Sequence, residues 1–299
     1  MNADLKSKLS LILSMFIFGT IGIFRRYMPF GSGSIAFFRG VTGAVFLLLV
    51  VLLKKQSPDI KAIKKNAVYL CVSGAFIGFN WMLLFEAYNY TTVATATLCY
   101  YMAPIIVVIL SPVFLKEKLT LKKGICALCA LMGMVLVSGI FSQGFGQSYA
   151  LRGVLCGLGA AVLYASVMMI NQKIHDISAY DKTMVQLIVA GLIILPYTLL
   201  TEKITSDDFT ATSTVLLIVV GVFHTGFAYA LYFGSMDKLS AQTVALFSYI
   251  DPIVAVILSA LLLREHMGVS EIIGAVLVLG STIIGEIEFK KRKSEINAQ

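Results

Sequence analysis

Asp251, in the stretch SYIDPIVAV (248–256), is the only formally charged residue between Ala241 and Leu263. At about 1.5 Å per helical residue it lies roughly 15 Å from the nearer end of its apolar run, close to the middle of a bilayer. His224 lies in the run 212–234, about 18 Å in by the same count. A carboxylate and an imidazole at that depth could bind and release a proton or hold an ammonium group; the alternative is a hydrogen-bonded pair that locks two helices. Arg39, inside the run 34–53, and Glu86, at the end of the run 67–86, share another level. An ion pair between them would form either an outer gate or a static brace, because an unpaired guanidinium in the membrane costs about 3 kcal/mol.

These residues are unusual because of the elements that carry them. The chain has 299 residues, 58% apolar and only 13% charged. Such a composition cannot cover a water-facing surface, where about a quarter of residues would be charged. Apolar runs long enough to cross about 30 Å of hydrocarbon recur at 9–25, 34–53, 67–86, 93–115, 122–141, 152–172, 182–201, 212–234, 241–263 and 269–287. The connections are short, so the expected fold is an all-α integral membrane protein of ten transmembrane helices. The first run lacks a small-residue cleavage site and ends in FRRYMPF, which argues against a signal peptide.

The net charge of +8 resolves once it is placed on this topology. With both termini on one side, that side holds Lys6, Lys8, the lysines of 54–65, 116–123, Lys173, Lys182, Lys238 and the KKRK tail at 290–293. Arg25, Arg26, Arg152, Lys203 and Arg264 fall on the other. The positive-inside rule then makes both termini cytoplasmic, and lysines facing anionic lipid account for the basic pI without nucleic acid.

Shifting the chain by 148 residues lays TVATATLCYYMAPIIVVILSPVFLKEKL (92–119) on SAQTVALFSYIDPIVAVILSALLLREHM (240–267). Thr95/Thr243, Tyr101/Tyr249, Pro104/Pro252, Ser111/Ser259 and Glu117/Glu265 coincide, and shared hydrophobicity does not explain matches of those types. The chain is a duplication. An offset of five spans, an odd number, makes the second copy enter from the opposite side, so the expectation is two inverted five-helix repeats, the architecture of many secondary transporters.

The paired YYMAPIIVVIL and SYIDPIVAVIL segments, the acidic turns LKEKL and LREHM, and the 5 + 5 organisation resemble the EamA-type branch of the drug/metabolite transporter superfamily. That resemblance covers nearly the whole chain. It implies an EamA-type repeat at 1–149, a second, inverted one at 150–288, a basic cytoplasmic tail at 289–299, and a cell-membrane permease, often an exporter of amino acids or related metabolites. Spans 3, 4, 8 and 9 would then lie near the central cavity.

Pro104 and Pro252 each remove a backbone donor within a span, making two matched soft points that are either static kinks or hinges for alternating access. Asn80 and Trp81 in the first half, with Tyr101 and Tyr249, three residues before each proline, are candidate cargo-facing groups, alongside Asp251 and His224. The five cysteines all fall within expected spans and read as packing residues, without metal or cofactor. GAFIG (74–78) and GVLCG (153–157) permit close helix approach, and the oligomeric state stays open. No phosphate-binding loop is present, the three histidines are scattered, and the loops hold no sensor domain, which weighs against a pump, an enzyme or a sensor. The expected function is secondary transport or exchange of a small zwitterion, most simply outward, with protons as a candidate coupling partner. An uptake carrier or an exporter of organic cations is the alternative.

Overall fold

The computed structural model describes residues 3–55, 57–114, 121–137, 148–171, 173–236, 247, 250–265 and 267–286, and every regular element among them is helical. In chain order they are α1 (Ala3–Arg26), α2 (Ser32–Leu53), a short α3 (Ile60–Lys65), α4 (Ala67–Tyr90), α5 (Val93–Tyr100), α6 (Ala103–Phe114), α7 (Leu121–Val137), α8 (Ser148–Asn171) and α9 (Ala179–Thr201). There follow a 3-10 turn (Ser206–Asp208), α10 (Ala211–Ile218), a π-helical segment (Val219–Phe227), α11 (Ala228–Met236), α12 (Ile250–Leu262) and α13 (Val269–Glu286).

Apolar sequence supplies the helices, and small polar residues start them. Thr92, Ser178 and Thr210 each accept a backbone N–H three residues on, at the heads of α5, α9 and α10. A helix satisfies its own backbone, the one solution open to an unclosed chain in hydrocarbon. Six stretches are long and apolar enough to cross a membrane: Leu5–Arg26, Ser32–Leu53, Ala67–Tyr90, Leu151–Asn171, Ala179–Thr201 and Ala211–Tyr232. Four more apolar helices are shorter: Val93–Val107, Gly124–Val137, Ile250–Leu262 and Val269–Ser281.

The perimeter is oily. Leu49, Leu52, Met132, Leu192, Leu200 and Leu261 are exposed, as suits contact with lipid tails. Inside, Ile35, Leu47, Phe85, Leu187 and Ile194 form one core, and Leu98, Met102, Ala130, Ala161 and Val278 another.

The main helix pairings are α4 with α8 and α9, α2 with α9 and the π segment, α1 with α11 and α12, α5 and α6 with α8, α5 with α12, and α7 with α13. Two of the crossings depend on glycine. A Cβ on Gly133 would stand 2.7 Å from the Gly274 carbonyl oxygen, and one on Gly40 would stand 3.2 Å from the Gly191 nitrogen, so α7–α13 and α2–α9 cross backbone to backbone. The glycines of GAFIG face α9 within the same chain: a Cβ on Gly78 would meet the Ala190 oxygen at 2.8 Å.

Proline shapes the fourth run. α5 stops at Tyr100, Tyr101 and Met102 form a turn, and α6 begins at Ala103. Pro104 has no N–H to give to the Tyr100 carbonyl, and the α-helical ladder breaks there, with Met102 bonding back to Cys99 instead. Pro252 stands in the first turn of α12, where a missing N–H costs least; the residues before Ile250 that would show a break lie outside the described residues.

Candidate functional site

The break between α5 and α6 aims Tyr101 at the other half of the chain. Its hydroxyl donates a 2.6 Å hydrogen bond to Asp251 Oδ2, in the first turn of α12. Tyr101 and Asp251 each stand three residues or fewer from a repeat-equivalent proline. Among the described residues no cation forms an ion pair with Asp251. A hydroxyl satisfies only one of a carboxylate's acceptor sites, leaving capacity for an ammonium or a proton. α1 closes over the same turn, since a Cβ on Gly19 would stand 2.6 Å from the Asp251 carbonyl oxygen.

Arg39 faces the interior from α2. It is only 4% exposed, and its guanidinium carbon lies 3.9 Å from the centre of the Trp81 ring and 5.4 Å from that of Phe85. Nε donates to Thr225 Oγ1 at 3.1 Å, and the Thr225 hydroxyl donates in turn to the Val220 carbonyl at 3.0 Å. The expected pair with Glu86 is not formed. Depth along a span gives height but not the direction around the helix: Arg39 turns to Trp81 and the π segment, whereas Glu86 accepts from Ser32 Oγ at 2.8 Å and Asn89 Nδ2 at 3.0 Å.

His224 is buried within the π segment, and its Nε2 lies 2.8 Å from Thr20 Oγ1. The Thr20 hydroxyl is also 2.7 Å from the Ile17 carbonyl, and His224 Nδ1 lies 3.4 Å from the Val219 carbonyl, so the tautomer of the ring sets which side chain donates in the Thr20 contact. No bond joins His224 to Asp251. The imidazole serves the contact of α1 with the π segment, and Phe24 covers it edge-on at 4.6 Å. Asn80, also buried, donates to the Ala160 carbonyl at 2.6 Å and fixes α4 to α8. Trp81 stands under Arg39, as described. Tyr249 lies outside the described residues, and so does the Pro104 side chain.

Tyrosines connect the two neighbourhoods. Tyr88, Tyr100 and Tyr229 pack in or against the cluster of Trp81 and Phe85, and the Tyr100 and Tyr101 rings meet edge-on at 5.8 Å. Tyr164 stacks on Tyr100 at 5.1 Å, and Phe18 packs on Tyr229 at 5.3 Å. Ring faces and phenol hydroxyls together can surround an apolar or aromatic side chain and accept a cation. Thr225, Thr20 and Tyr164 carry no signal in the sequence, because their neighbours depend on how the helices are rotated about their axes.

Carboxylates tie the helix ends at the side where α1 finishes. Glu265 accepts from Arg26 at 2.8 Å and from the Val93 backbone N–H at 2.9 Å, and also takes the Ser259 hydroxyl. Glu202 accepts from the Gly33 and Ser34 N–H groups at 2.7 and 2.9 Å, capping α2 from the end of α9. Both contacts join one half of the chain to the other. Arg25 bonds Asn89 at 2.9 Å and the Met28 carbonyl at 3.2 Å. The identity of Glu117 and Glu265 marks the second position in the sequence; nothing marks Glu202. At the opposite end Lys65 meets Asp176 at 2.7 Å, and Asn66 donates to the His175 carbonyl at 2.9 Å. No cluster of metal-ligating side chains occurs among the described residues.

Comparison with known proteins agrees with this architecture. The chain is 25% identical over 291 residues to the uncharacterized transporter YxxF of Bacillus subtilis (strain 168), covering 97% of this chain and 92% of the relative. It is 24% identical over 240 residues to protein PecM of Dickeya dadantii (strain 3937), covering 79% and 78%. A solved crystal structure superimposes with a TM-score of 0.66 at 16% identity over 93% of this chain and 96% of the other, a likeness of fold. The EamA-like transporter family matches residues 5–139 and again 151–284, and the chain therefore belongs to that family of transporters.

Proposed function

We propose that the protein is a secondary transporter that exports a small zwitterionic metabolite, such as an amino acid, by alternating access between two inverted five-helix halves, 1–149 and 150–288. The observation that carries this reading is the Tyr101–Asp251 hydrogen bond. It joins the halves beside their equivalent prolines, in an apolar interior, through a carboxylate that retains acceptor capacity.

The packing supports the two-fold relation. Exchanging α1 with α8, α2 with α9, α4 with the π segment and α11, α5 and α6 with α12, and α7 with α13 turns each principal pairing into another. The pair α4–α8 becomes α11–α1, and α4–α9 becomes the π segment with α2. The pairs α2–α9 and α7–α13 map onto themselves, and both cross at glycines. The double family match, one per half, supports it as well.

With the lysine-rich end taken as cytoplasmic, the Arg26–Glu265 and Glu202 contacts close the outer end, in place of an Arg39–Glu86 gate. Breaking them while the halves pivot at the Tyr101–Met102 turn and near Pro252 would open the interior outward. Binding to Asp251 inside the membrane offers the cargo's charge or a proton a partner in the apolar surroundings, and the tyrosines supply apolar contact. A lone organic cation is the second reading, favoured by the same acid and ring faces.

Counterflow in liposomes tests the proposal. Purified protein is reconstituted, the lumen is loaded in turn with unlabelled amino acids, polyamines, quaternary amines and nucleobases, and uptake of the matching labelled solute is followed. Transient accumulation of an amino acid is the expected result. Accumulation of quaternary amines alone would favour the second reading, and no exchange of any class would overturn both.

A further inference from the structure

We infer that Arg39 is the group that binds the carboxylate of the cargo, so that the transported molecule bridges Arg39 on α2 and Asp251 on α12. The inference rests on the transport reading above and adds to it an assignment and a substrate class: solutes with a free carboxylate next to a cationic group.

Arg39 is built like a receptor with its ligand still to come. Its aliphatic stem and one face are fully engaged, with the Trp81 ring at 3.9 Å below the guanidinium and Nε committed to Thr225. Those two contacts fix the plane and direction of the fork. The two terminal nitrogens take no protein acceptor among the described residues, yet they are not sealed off, unlike Arg25 Nε, which is buried without a partner. A guanidinium is a planar donor whose paired N–H groups match the two oxygens of a carboxylate. A side chain that is 4% exposed and serves only as a brace would be expected to bond through those groups to a neighbouring carbonyl or acid, because leaving them open costs free energy in an apolar interior.

The surroundings fix which anion fits. Tyr88, Tyr100 and Tyr229 pack in or against the cluster that holds Trp81 and Phe85 beneath Arg39, and the Tyr100 ring meets that of Tyr101, whose hydroxyl bonds Asp251, at 5.8 Å, so a continuous run of aromatic side chains links the two charged groups. A buried guanidinium and a half-buried carboxylate, linked by aromatic rings, complement a molecule that carries both charges. A dianion would leave one of its charges facing Asp251, and a simple amine would leave Arg39 unmet.

The test compares one amino acid with its decarboxylated amine and its carboxamide as competitors of counterflow by the unaltered protein. The amine and amide are expected to compete about ten- to a hundredfold more weakly, since each lacks the charged acceptor. Arg39→Gln should remove that preference, bringing the three competitors within about threefold of one another, while Arg39→Lys retains part of it. Equal competition by all three in the unaltered protein would overturn the assignment, and so would an undiminished preference in Arg39→Gln. Should the Gln protein fail to fold, the competition series in the unaltered protein decides alone. Absence of amino-acid exchange altogether would instead defeat the transport reading itself.

Discussion

The hydroxyl of Tyr101 and the carboxylate of Asp251, 150 positions apart in the chain, meet at 2.6 Å where the two halves of the bundle adjoin. Tyr101 has its repeat partner in Tyr249, whereas the partner of Asp251 is Ala103. The sequence thus carries the tyrosine and the proline in both halves and the acid in one.

Asp251→Asn keeps the shape and removes the charge. Counterflow should fall at least about tenfold, since a charge-assisted contact to cargo or proton is lost. Tyr101→Phe should act in the same direction but less strongly, about threefold, because it removes only a supporting donor. Unchanged initial rates for Asp251→Asn would reduce the acid to a packing group.

The pH dependence separates that acid from one outside the membrane. The Lys65 ammonium beside Asp176 holds its carboxyl below the usual value of 3.8, first through the hydrogen bond and then through its charge. A lowered value in the folded state means that the contact is present above the ordinary carboxylate range and is lost only as pH falls through the folded value. Asp176→Asn should thus leave the pH profile of exchange between about pH 5 and 8 unaltered, whereas Asp251→Asn flattens it. A changed profile in Asp176→Asn would contradict this.

The Arg26–Glu265 contact should weigh on which end of the molecule opens. The arginine is 34% exposed and its partner 12%, so the ion pair contributes modestly, and the bond to the Val93 N–H adds to it. Glu265→Gln should cost the closed state about 1 kcal/mol, a roughly fivefold shift in population. Hydrogen–deuterium exchange of the Thr91–Thr95 amides should accelerate by about that factor, and an unchanged rate would remove the contact from any gating role.

Glycine at the helix crossings gives a prediction about assembly. Gly133→Val and Gly274→Val each drive a side chain into facing backbone, since even a Cβ on Gly133 stands 2.7 Å from the Gly274 oxygen. Both should lower the melting temperature in detergent, with a penalty of about 2 kcal/mol or more. Substitution at Gly280, where nothing lies within 4 Å, should be nearly neutral.

How far the sequence reveals this arrangement depends on the kind of information each residue carries. Helices, and the break before Pro104, follow from local chemistry: apolar runs, capping hydroxyls and a missing N–H. Tyr101 and Glu265 were marked by the internal repeat. Arg39 and Glu86 share a depth along their runs but do not pair, because shared depth says nothing about rotation around the helix axes. Asn80 illustrates the same limit, turning to the Ala160 carbonyl of α8. The π-helical segment has no sequence signature at all. It widens the turn that carries His224 and Thr225, and so sets the contacts of Thr20 and Arg39.

Trp81 offers the most direct measurement, because it is the only tryptophan in the chain and its ring lies under the Arg39 guanidinium. Titrating an exchanged amino acid into the purified protein should change Trp81 emission saturably, at a midpoint matching the concentration that half-saturates counterflow. Asp251→Asn and Arg39→Gln should each weaken that response about tenfold or more. Saturable exchange with no change in Trp81 emission, or an identical titration in both variants, would contradict a cargo held between Arg39 and Asp251.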